Sequence, residues 1–225
     1  MTIRQEIIAE LEANRESYVA FLQKLIQAAS PNPPGDTTKA TTVVREYLST
    51  HGVEAEVVAP LPQAPNVVAD FRGGKENDPR VIFNDHIDTY PVERPDAWPK
   101  GPYSGFNDGI TIHGRGGVDM KAGTATSIIA YTILQRRAEG LKGSVRLVVV
   151  SNEETGGRWG TRYLLEHDPS RWGGDVVLNG EPGGLQSIRF GEKGTLRITF
   201  TVKSEGLNGA YTFVRKGRAA FIPLQ

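Results

Sequence analysis

The sequence contains no cysteine among its 225 residues. Disulfide bonds, thiolate metal ligands and a cysteine nucleophile are therefore excluded, and any bound metal must be held by histidine, aspartate or glutamate. An excess of either charge is also absent, because 26 basic residues balance 26 acidic ones. We expect no nucleic-acid partner and no membrane partner, since a balanced chain has no general attraction to polyanions or to anionic lipid.

Long apolar runs are lacking as well. No stretch reaches the roughly 18 consecutive apolar residues that a membrane-spanning helix needs. The N-terminal segment MTIRQEIIAELEANRESY carries charges throughout and has no apolar core of the signal-peptide type. The sequence therefore predicts a cytoplasmic, globular protein.

Amphipathic segments alternate with short apolar runs along most of the chain. The runs at 81–83, 144–150 and 175–178 are apolar on both faces, which is typical of parallel strands covered by helices. We therefore predict an α/β fold with a mostly parallel central sheet flanked by helices. Helices are predicted over 3–28, 37–52, 124–140 and 157–168, and further strands over 53–58 and 66–71.

Residues 195–203, TLRITFTVK, have a different pattern, in which apolar and polar side chains alternate. Strict alternation predicts a half-exposed strand, which is more typical of an antiparallel sheet. We therefore expect a second domain to begin near residue 190.

Acidic and imidazole side chains follow three of the predicted strands. They are Asp85, His86 and Asp88 after the first strand, Glu153 and Glu154 after the second, and Glu181 after the third. The carboxyl ends of parallel strands lie at one edge of a sheet, so these side chains are expected to converge there, together with Asp119 from the loop GRGGVDM. Packed carboxylates raise one another's pKa values, and a divalent cation relieves that repulsion. Oxygen and nitrogen ligands without sulfur suit zinc, cobalt or manganese.

Each motif also has an ordinary structural explanation. His86 and Asp88 can be solvated strand-end residues, Asp119 can be a turn residue or a helix cap, and the Glu-Glu pair can begin a helix. The loop GRGG suggests a phosphate site, but it lacks the Lys-Ser/Thr end of a P-loop and the GxGxxG spacing. The occurrence of such groups at successive strand ends favours the metal site. Because His86 and Asp88 are two positions apart, both face the same way in an extended chain, where Asp88 can hold the far imidazole nitrogen.

Four segments, HID, GRGGVDMKAG, SNEETGG and NGEPGG, occur in an order and spacing that resembles the co-catalytic di-zinc aminoacylase family. That family includes acetylornithine deacetylase, succinyl-diaminopimelate desuccinylase, carboxypeptidase G and related peptidases. The resemblance covers about residues 5–212 and implies a zinc-exopeptidase-like fold. It also implies a metal-dependent hydrolase of amide bonds in N-acyl amino acids or small peptides. The alternative is a non-catalytic short form that binds metal or pairs with a full-length relative.

The resemblance implies a set of metal ligands. His86 and Glu181 are the implied ligands of one Zn²⁺ ion, for which Co²⁺ or Mn²⁺ could substitute. Asp119 is implied to bridge both ions, and Glu154 to bind the second ion. The family often has a cis peptide bond after the bridging aspartate, which corresponds here to Asp119–Met120.

Further residues have implied roles in catalysis or substrate binding. Glu153 is the implied general base for the metal-bridging water, and Asp88 orients the histidine ligand. Arg158 or Arg162 could meet a substrate carboxylate, although helix arginines are commonly solvated. Asn208, in GLNGAY, occupies the place where the family carries a lid histidine that helps polarise the substrate carbonyl.

Family members are about twice as long, and the later part of their chains supplies a last histidine to the second metal. We therefore expect residues 1–188 to form a catalytic domain without its usual C-terminal part, and residues 189–225 an incomplete lid domain through which a homodimer could form. The remaining histidines lie outside the four motifs, at His51, His113 and His167. The second metal position is therefore expected to keep only Asp119 and Glu154.

Overall fold

Five strands form a central sheet in a computed structural model that describes residues 1–74, 78–191, 194, 196 and 198–201. The strands of the chain are β1 (Glu56–Val58), β2 (Asn66–Arg72), β3 (Arg80–His86), β4 (Phe106–Asn107), β5 (Ile112–His113), β6 (Ser144–Val150) and β7 (Val176–Leu178). The central sheet has the order β1-β2-β6-β3-β7, and β4 and β5 form a separate antiparallel pair.

The central sheet is mixed, because β2 runs against the other four strands. β3 pairs in parallel with both β6 and β7, whereas β2 pairs antiparallel with β1 and β6. The predicted mostly parallel sheet is confirmed in that four strands share one direction. The reversal of β2 follows from its connection, since the short segment 59–65 that joins it to β1 cannot form the long crossover that parallel neighbours require.

Six α-helices of the described chain accompany the sheet. They are α1 (Ile3–Ala13), α2 (Arg15–Gln27), α3 (Thr38–Thr50), α4 (Lys121–Gln135), α5 (Thr161–His167) and α6 (Pro169–Trp172). The prediction of one continuous helix over 3–28 was wrong, because the helix ends at Asn14. Both the backbone N–H and the side-chain amide of Asn14 donate to the carbonyl oxygen of Glu10, at 3.1 and 2.8 Å. A side chain that takes a helix carbonyl competes with continuation of the helix.

Two helical layers cover opposite faces of the sheet. On one face, α2, α3 and α4 pack against alternate residues of β6 such as Leu147 and Val149. On the other face, Leu164 and Trp172 from α5 and α6 pack against Val148. Strand β6 is buried along its whole length, as a strand with apolar residues on both faces requires.

The chain divides into two compact units, Met1–Gly184 and Leu185–Gln225. In the second unit, none of the described residues belongs to a helix or strand. The strand predicted over 195–203 is therefore not observed at 196 or 198–201, where no neighbouring strand pairs with the backbone, and its other residues lie outside the described part. No helix within the described ranges is long and apolar enough to cross a membrane.

Truncation of Leu147 tests the position of β6 at the centre of the fold. Leu147→Ala is expected to lower the free energy of unfolding by about 3 kcal/mol, because it leaves a cavity among fully buried side chains. The matched variant Leu11→Ala removes the same atoms from a helical side chain that is 39% exposed, and it is expected to change stability by less than about 1 kcal/mol. Urea unfolding followed by circular dichroism measures both. Equal losses would contradict the central position of β6.

Candidate metal centre

The carboxyl ends of β3, β6 and β7 lie at the same edge of the sheet. His86 is the last residue of β3 and pairs in register with Val150, the last residue of β6. The two glutamates after β6 lie in a short 3₁₀ helix, Glu153–Thr155, and Glu181 follows β7. Asp119 lies two residues before Lys121, the first residue of α4. The topology therefore brings side chains from four separate segments towards one place.

The imidazole of His86 lies at the centre of this acidic group. Its Nε2 atom is 3.0 Å from Glu181 Oε1, 3.4 Å from Asp119 Oδ1 and 3.7 Å from Glu153 Oε2. His86, Asp119 and Glu181 each offer one ligand atom, and the three atoms lie within 4.8 Å of one another. The histidine side chain is 2% exposed, whereas those of Asp119 and Glu181 are 56% and 37% exposed. The group is thus anchored in the protein and open to solvent on one side.

Asp88 holds the opposite ring nitrogen of His86. The Nδ1 atom is 2.9 Å from the main-chain oxygen of Asp88 and 3.4 Å from its carboxylate Oδ1. Donation from Nδ1 leaves the lone pair of Nε2 available to a metal. The sequence predicted that the carboxylate holds the ring, but the main-chain oxygen is the closer acceptor. Strand β3 ends at His86, so Asp88 lies outside the extended geometry on which that prediction was based.

The carboxylate of Asp88 is fully buried and binds the backbone of the glutamate pair. Its Oδ1 accepts a hydrogen bond from the N–H of Glu153, and its Oδ2 accepts one from the N–H of Glu154, both at 3.1 Å. Burial acts to raise the pKa of Asp88, but hydrogen bonds, led by that from His86, lower it overall. Asp88 therefore joins the histidine of β3 to the residues that follow β6.

Asp85 takes a different position from the other strand-end acids. Its side chain is buried, and Oδ1 accepts a hydrogen bond of 2.7 Å from the N–H of Gly180. Burial raises its pKa. A Cβ atom at Gly180 would lie 2.7 Å from the Cα atom of Gly123 in α4, so only glycine permits this approach. Asp85 thus fixes the turn that leads to Glu181.

The electrostatics of the cluster reflect crowded negative charge. Burial acts to lower the pKa of His86, but hydrogen bonds and charges from Asp88 and Glu181 outweigh it and raise that pKa to about 11. Burial, followed by the charge of Asp119, raises the pKa of Glu154 to about 7. Burial is also the largest cause of the raised pKa of Glu153.

These donors fit a divalent cation. One imidazole nitrogen and several carboxylate oxygens, without sulfur, form a hard and borderline donor set. The Oε1 atom of Glu154 is buried and has no hydrogen-bond partner among the described residues. A buried acceptor without a donor is costly, and a cation beside it would satisfy it. Glu154 does not belong to the group of three ligand atoms formed by His86, Asp119 and Glu181.

Residues 82–193 match the model of one protein family, described as peptidase family M20/M25/M40. The matched range includes every acidic and imidazole side chain of the cluster. This chain contains a peptidase M20 domain. The Asp119–Met120 peptide bond of the M20 domain is cis, as the resemblance of the sequence motifs implied.

Similar proteins agree with this assignment. An N-formyl-4-amino-5-aminomethyl-2-methylpyrimidine deformylase of Halalkalibacterium halodurans is 31% identical over 169 residues, which cover 74% of this chain and 39% of that protein. A succinyl-diaminopimelate desuccinylase of Rickettsia felis is 28% identical, with 88% and 53% covered. The chain thus spans about half the length of these relatives, or less. Human carnosine dipeptidase 1 shares the fold, with a TM-score of 0.65 at 20% identity over 80% of this chain and 41% of that chain.

Two supporting residues of the M20 domain were missed in the sequence. Thr124 Oγ1 donates to the main-chain oxygen of His86 at 2.6 Å, and Asn32 Nδ2 donates to Asp88 Oδ2 at 2.8 Å. Asn32 lies in PNPPG, a segment that predicts only a break between helices. Its contact with Asp88 joins residues 56 positions apart. The only local signal was a polar residue among prolines between two amphipathic helices.

Other predicted residues lie away from the cluster or outside the described part. The guanidinium of Arg158 lies over the ring of the adjacent tryptophan, 4.8 Å from its centroid. Asn208 falls outside the described residues. The other histidines of the M20 domain contact partners close in sequence and do not join the group of ligand atoms; they are His51, His113 and His167.

Neutralisation of Glu154 tests the charge conflict in the metal-free chain. Folding raises the pKa of Glu154 from its ordinary value of 4.5 to about 7. The native state therefore loses stability as the pH rises between these two values, because the folded chain releases this proton less readily than the unfolded chain. Glu154→Gln is therefore expected to raise the free energy of unfolding by about 1 kcal/mol at pH 8 and by less at pH 5. The value is this small because solvent screens a partly exposed carboxylate.

Chemical unfolding in the presence of a chelator provides the measurement. The matched variant Glu12→Gln changes the same group on the exposed surface of α1 and is expected to have little effect at either pH. A loss of stability for Glu154→Gln at pH 8 would show that the carboxylate is not in conflict with its neighbours.

Proposed function

We propose that this M20 domain hydrolyses amide bonds of N-acyl amino acids or small peptides with a divalent metal cofactor. The observation that carries the proposal is the approach of ligand atoms from His86, Asp119 and Glu181 to within 4.8 Å at the sheet edge. Two similar proteins are named as a deformylase and a desuccinylase, and removal of an acyl group from nitrogen is hydrolysis of an amide bond. The metal dependence is therefore inferred from the donor set, and the substrate class from the relatives.

Zn²⁺ is the proposed metal, with Co²⁺ or Mn²⁺ as alternatives, since the donors are nitrogen and oxygen. His86, Asp119 and Glu181 would hold one ion, and Asp119 with Glu154 would hold a second. A bound divalent ion supplies polarisation of the scissile carbonyl and a lowered pKa of water.

Glu153 is the proposed general base. Its carboxylate is 54% exposed and lies 3.7 Å from the His86 ring, so it can reach a water molecule at the open side of the cluster. The carboxylate removes a proton as the water oxygen attacks the carbonyl carbon. It then gives that proton to the amine nitrogen as the carbon–nitrogen bond breaks. A pKa above the ordinary range for a carboxyl group, which burial favours here, suits both transfers.

Asp88 is the proposed positioning residue for both His86 and Glu153. Its main-chain oxygen holds the ring of His86, and its carboxylate accepts from the N–H of Glu153. These contacts fix the backbone of the proposed base relative to the ring of the proposed ligand. Precise orientation of this kind supplies much of the rate gain in enzymes.

The non-catalytic alternative is not favoured by the similar proteins, which include a deformylase, a desuccinylase and a dipeptidase. We propose small-molecule substrates. The lid domain over 189–225, a homodimer through it, contacts of Asn208 or Arg158 with substrate, and the cytoplasmic location stay predictions.

Replacement of the general base tests the proposed reaction. In zinc-loaded protein assayed with N-acetyl and N-succinyl amino acids, Glu153→Gln is expected to lower kcat by a factor of about 100–10,000, because proton transfer loses its acceptor. Metal content should stay unchanged. Glu166→Gln, on the exposed surface of α5, is the matched control and should keep full activity. Hydrolysis that persists in Glu153→Gln, or no hydrolysis by the loaded parent chain, would contradict the proposal.

Metal titration tests the proposed ligands. Calorimetry with Zn²⁺ is expected to give one tight and one weak site per chain, because the first position has three protein ligands and the second only two. His86→Ala is expected to remove the tight site. Two equally tight sites would be inconsistent with this ligand assignment.

A further inference from the structure

Asn32 lies beside the candidate metal centre although it comes from the proline-rich segment between α2 and α3. It is 4% exposed. Its backbone N–H donates to the main-chain oxygen of Thr89 at 2.9 Å, and the N–H of Thr89 donates to the main-chain oxygen of Ser30 at 3.0 Å. The segment around Asn32 is therefore paired with the part of the chain that carries Asp88.

The side-chain amide of Asn32 connects Asp88, which follows β3, with Thr155, which follows β6. Its Nδ2 atom donates to Asp88 Oδ2 at 2.8 Å and to Thr155 Oγ1 at 3.0 Å. A primary amide has two N–H groups, and each has an acceptor here. An aspartate at this position would instead place a second carboxylate against that of Asp88.

Both acceptors belong to residues that flank the proposed catalytic groups. Asp88 contacts the ring of His86 and the N–H groups of Glu153 and Glu154. Thr155 directly follows the glutamate pair in the same 3₁₀ helix. We infer that Asn32 is a positioning residue, which holds Asp88 and Thr155 so that the histidine and the glutamate pair keep their relative positions. This inference rests on the proposed function of the site.

Gly35 provides independent support for a fixed position of the Asn32 amide. Gly35 has a φ of +85°, and a Cβ atom there would lie 2.9 Å from Asn32 Oδ1. Its N–H donates to the main-chain oxygen of Pro31 at 2.8 Å, which closes the turn around Asn32. The turn thus leaves room for this amide only where glycine is present.

Replacement by aspartate tests the inference in the full chain. Asn32→Asp keeps the size of the side chain but removes both donors and adds a charge next to Asp88. Co²⁺ is the probe, because its affinity and its visible absorption spectrum both report ligand geometry. We expect a loss of Co²⁺ affinity of about 10–100-fold and a changed spectrum, as for removal of other groups that orient metal ligands. If the aspartate variant does not fold, Asn32→Ala takes its place in the test. It adds no charge and should also weaken Co²⁺ binding.

Asn66→Asp is the matched control. Asn66 is also buried, and its Nδ2 donates to main-chain oxygens of Val58 and Trp159, at 3.0 and 2.9 Å, rather than to a site residue. This variant should lose stability but keep the Co²⁺ affinity within about threefold. Unchanged Co²⁺ binding in both Asn32 variants would overturn the inference, and so would equal losses in Asn32→Asp and Asn66→Asp.

A readout without metal separates this inference from the proposed function. The ring nitrogen resonances of His86, measured by NMR in the metal-free chain, should shift in Asn32→Asp and stay unchanged in Asn66→Asp. If the parent chain binds no Co²⁺, the proposed function fails, while these resonances still decide the role of Asn32. Unshifted His86 resonances in Asn32→Asp would refute it.

Discussion

Repulsion among the carboxylates around His86 is the constraint on which the candidate metal centre depends. Asp119, Glu153 and Glu181 each have a carboxylate oxygen within 3.7 Å of the imidazole Nε2. The ligand atoms of Asp119 and Glu181 lie within 4.8 Å of each other, and ionised carboxylates that are so close disfavour one another unless a positive charge lies between them. The imidazolium supplies that charge in the metal-free chain, and a divalent cation would supply more of it. The acids remain together because the fold holds them, not because they attract one another.

The sheet and one buried carboxylate, that of Asp88, keep these acidic side chains in place. Strand β6 is covered on both faces by helices, and its pairing with β3 in register fixes the distance between the ends of the two strands. Beyond the strand ends, Asp88 takes over this task through its contacts with His86 and the backbone of the glutamate pair. Asn32 supports Asp88 from a segment that has no catalytic group of its own. Rigid support of this kind is what a site of crowded charge requires.

Much of this arrangement follows from local patterns in the sequence. Apolar runs of strand length that are followed within three residues by His86, Glu153 or Glu181 predict both the parallel strands and the shared edge. The sequence pattern failed where individual side-chain contacts, local or long-range, decide the structure. The break at Asn14 depends on a side chain that competes for a helix carbonyl, and the contact between Asn32 and Asp88 joins residues far apart in the chain. Periodicity contains no information on either.

Anomalous diffraction from crystals grown with Zn²⁺ would test the central claim most directly. An anomalous peak is expected about 2.0–2.1 Å from His86 Nε2, with carboxylate oxygens of Asp119 and Glu181 in the same coordination sphere. A peak on His51, His113 or His167 instead, or no peak at the edge of the sheet, would contradict it.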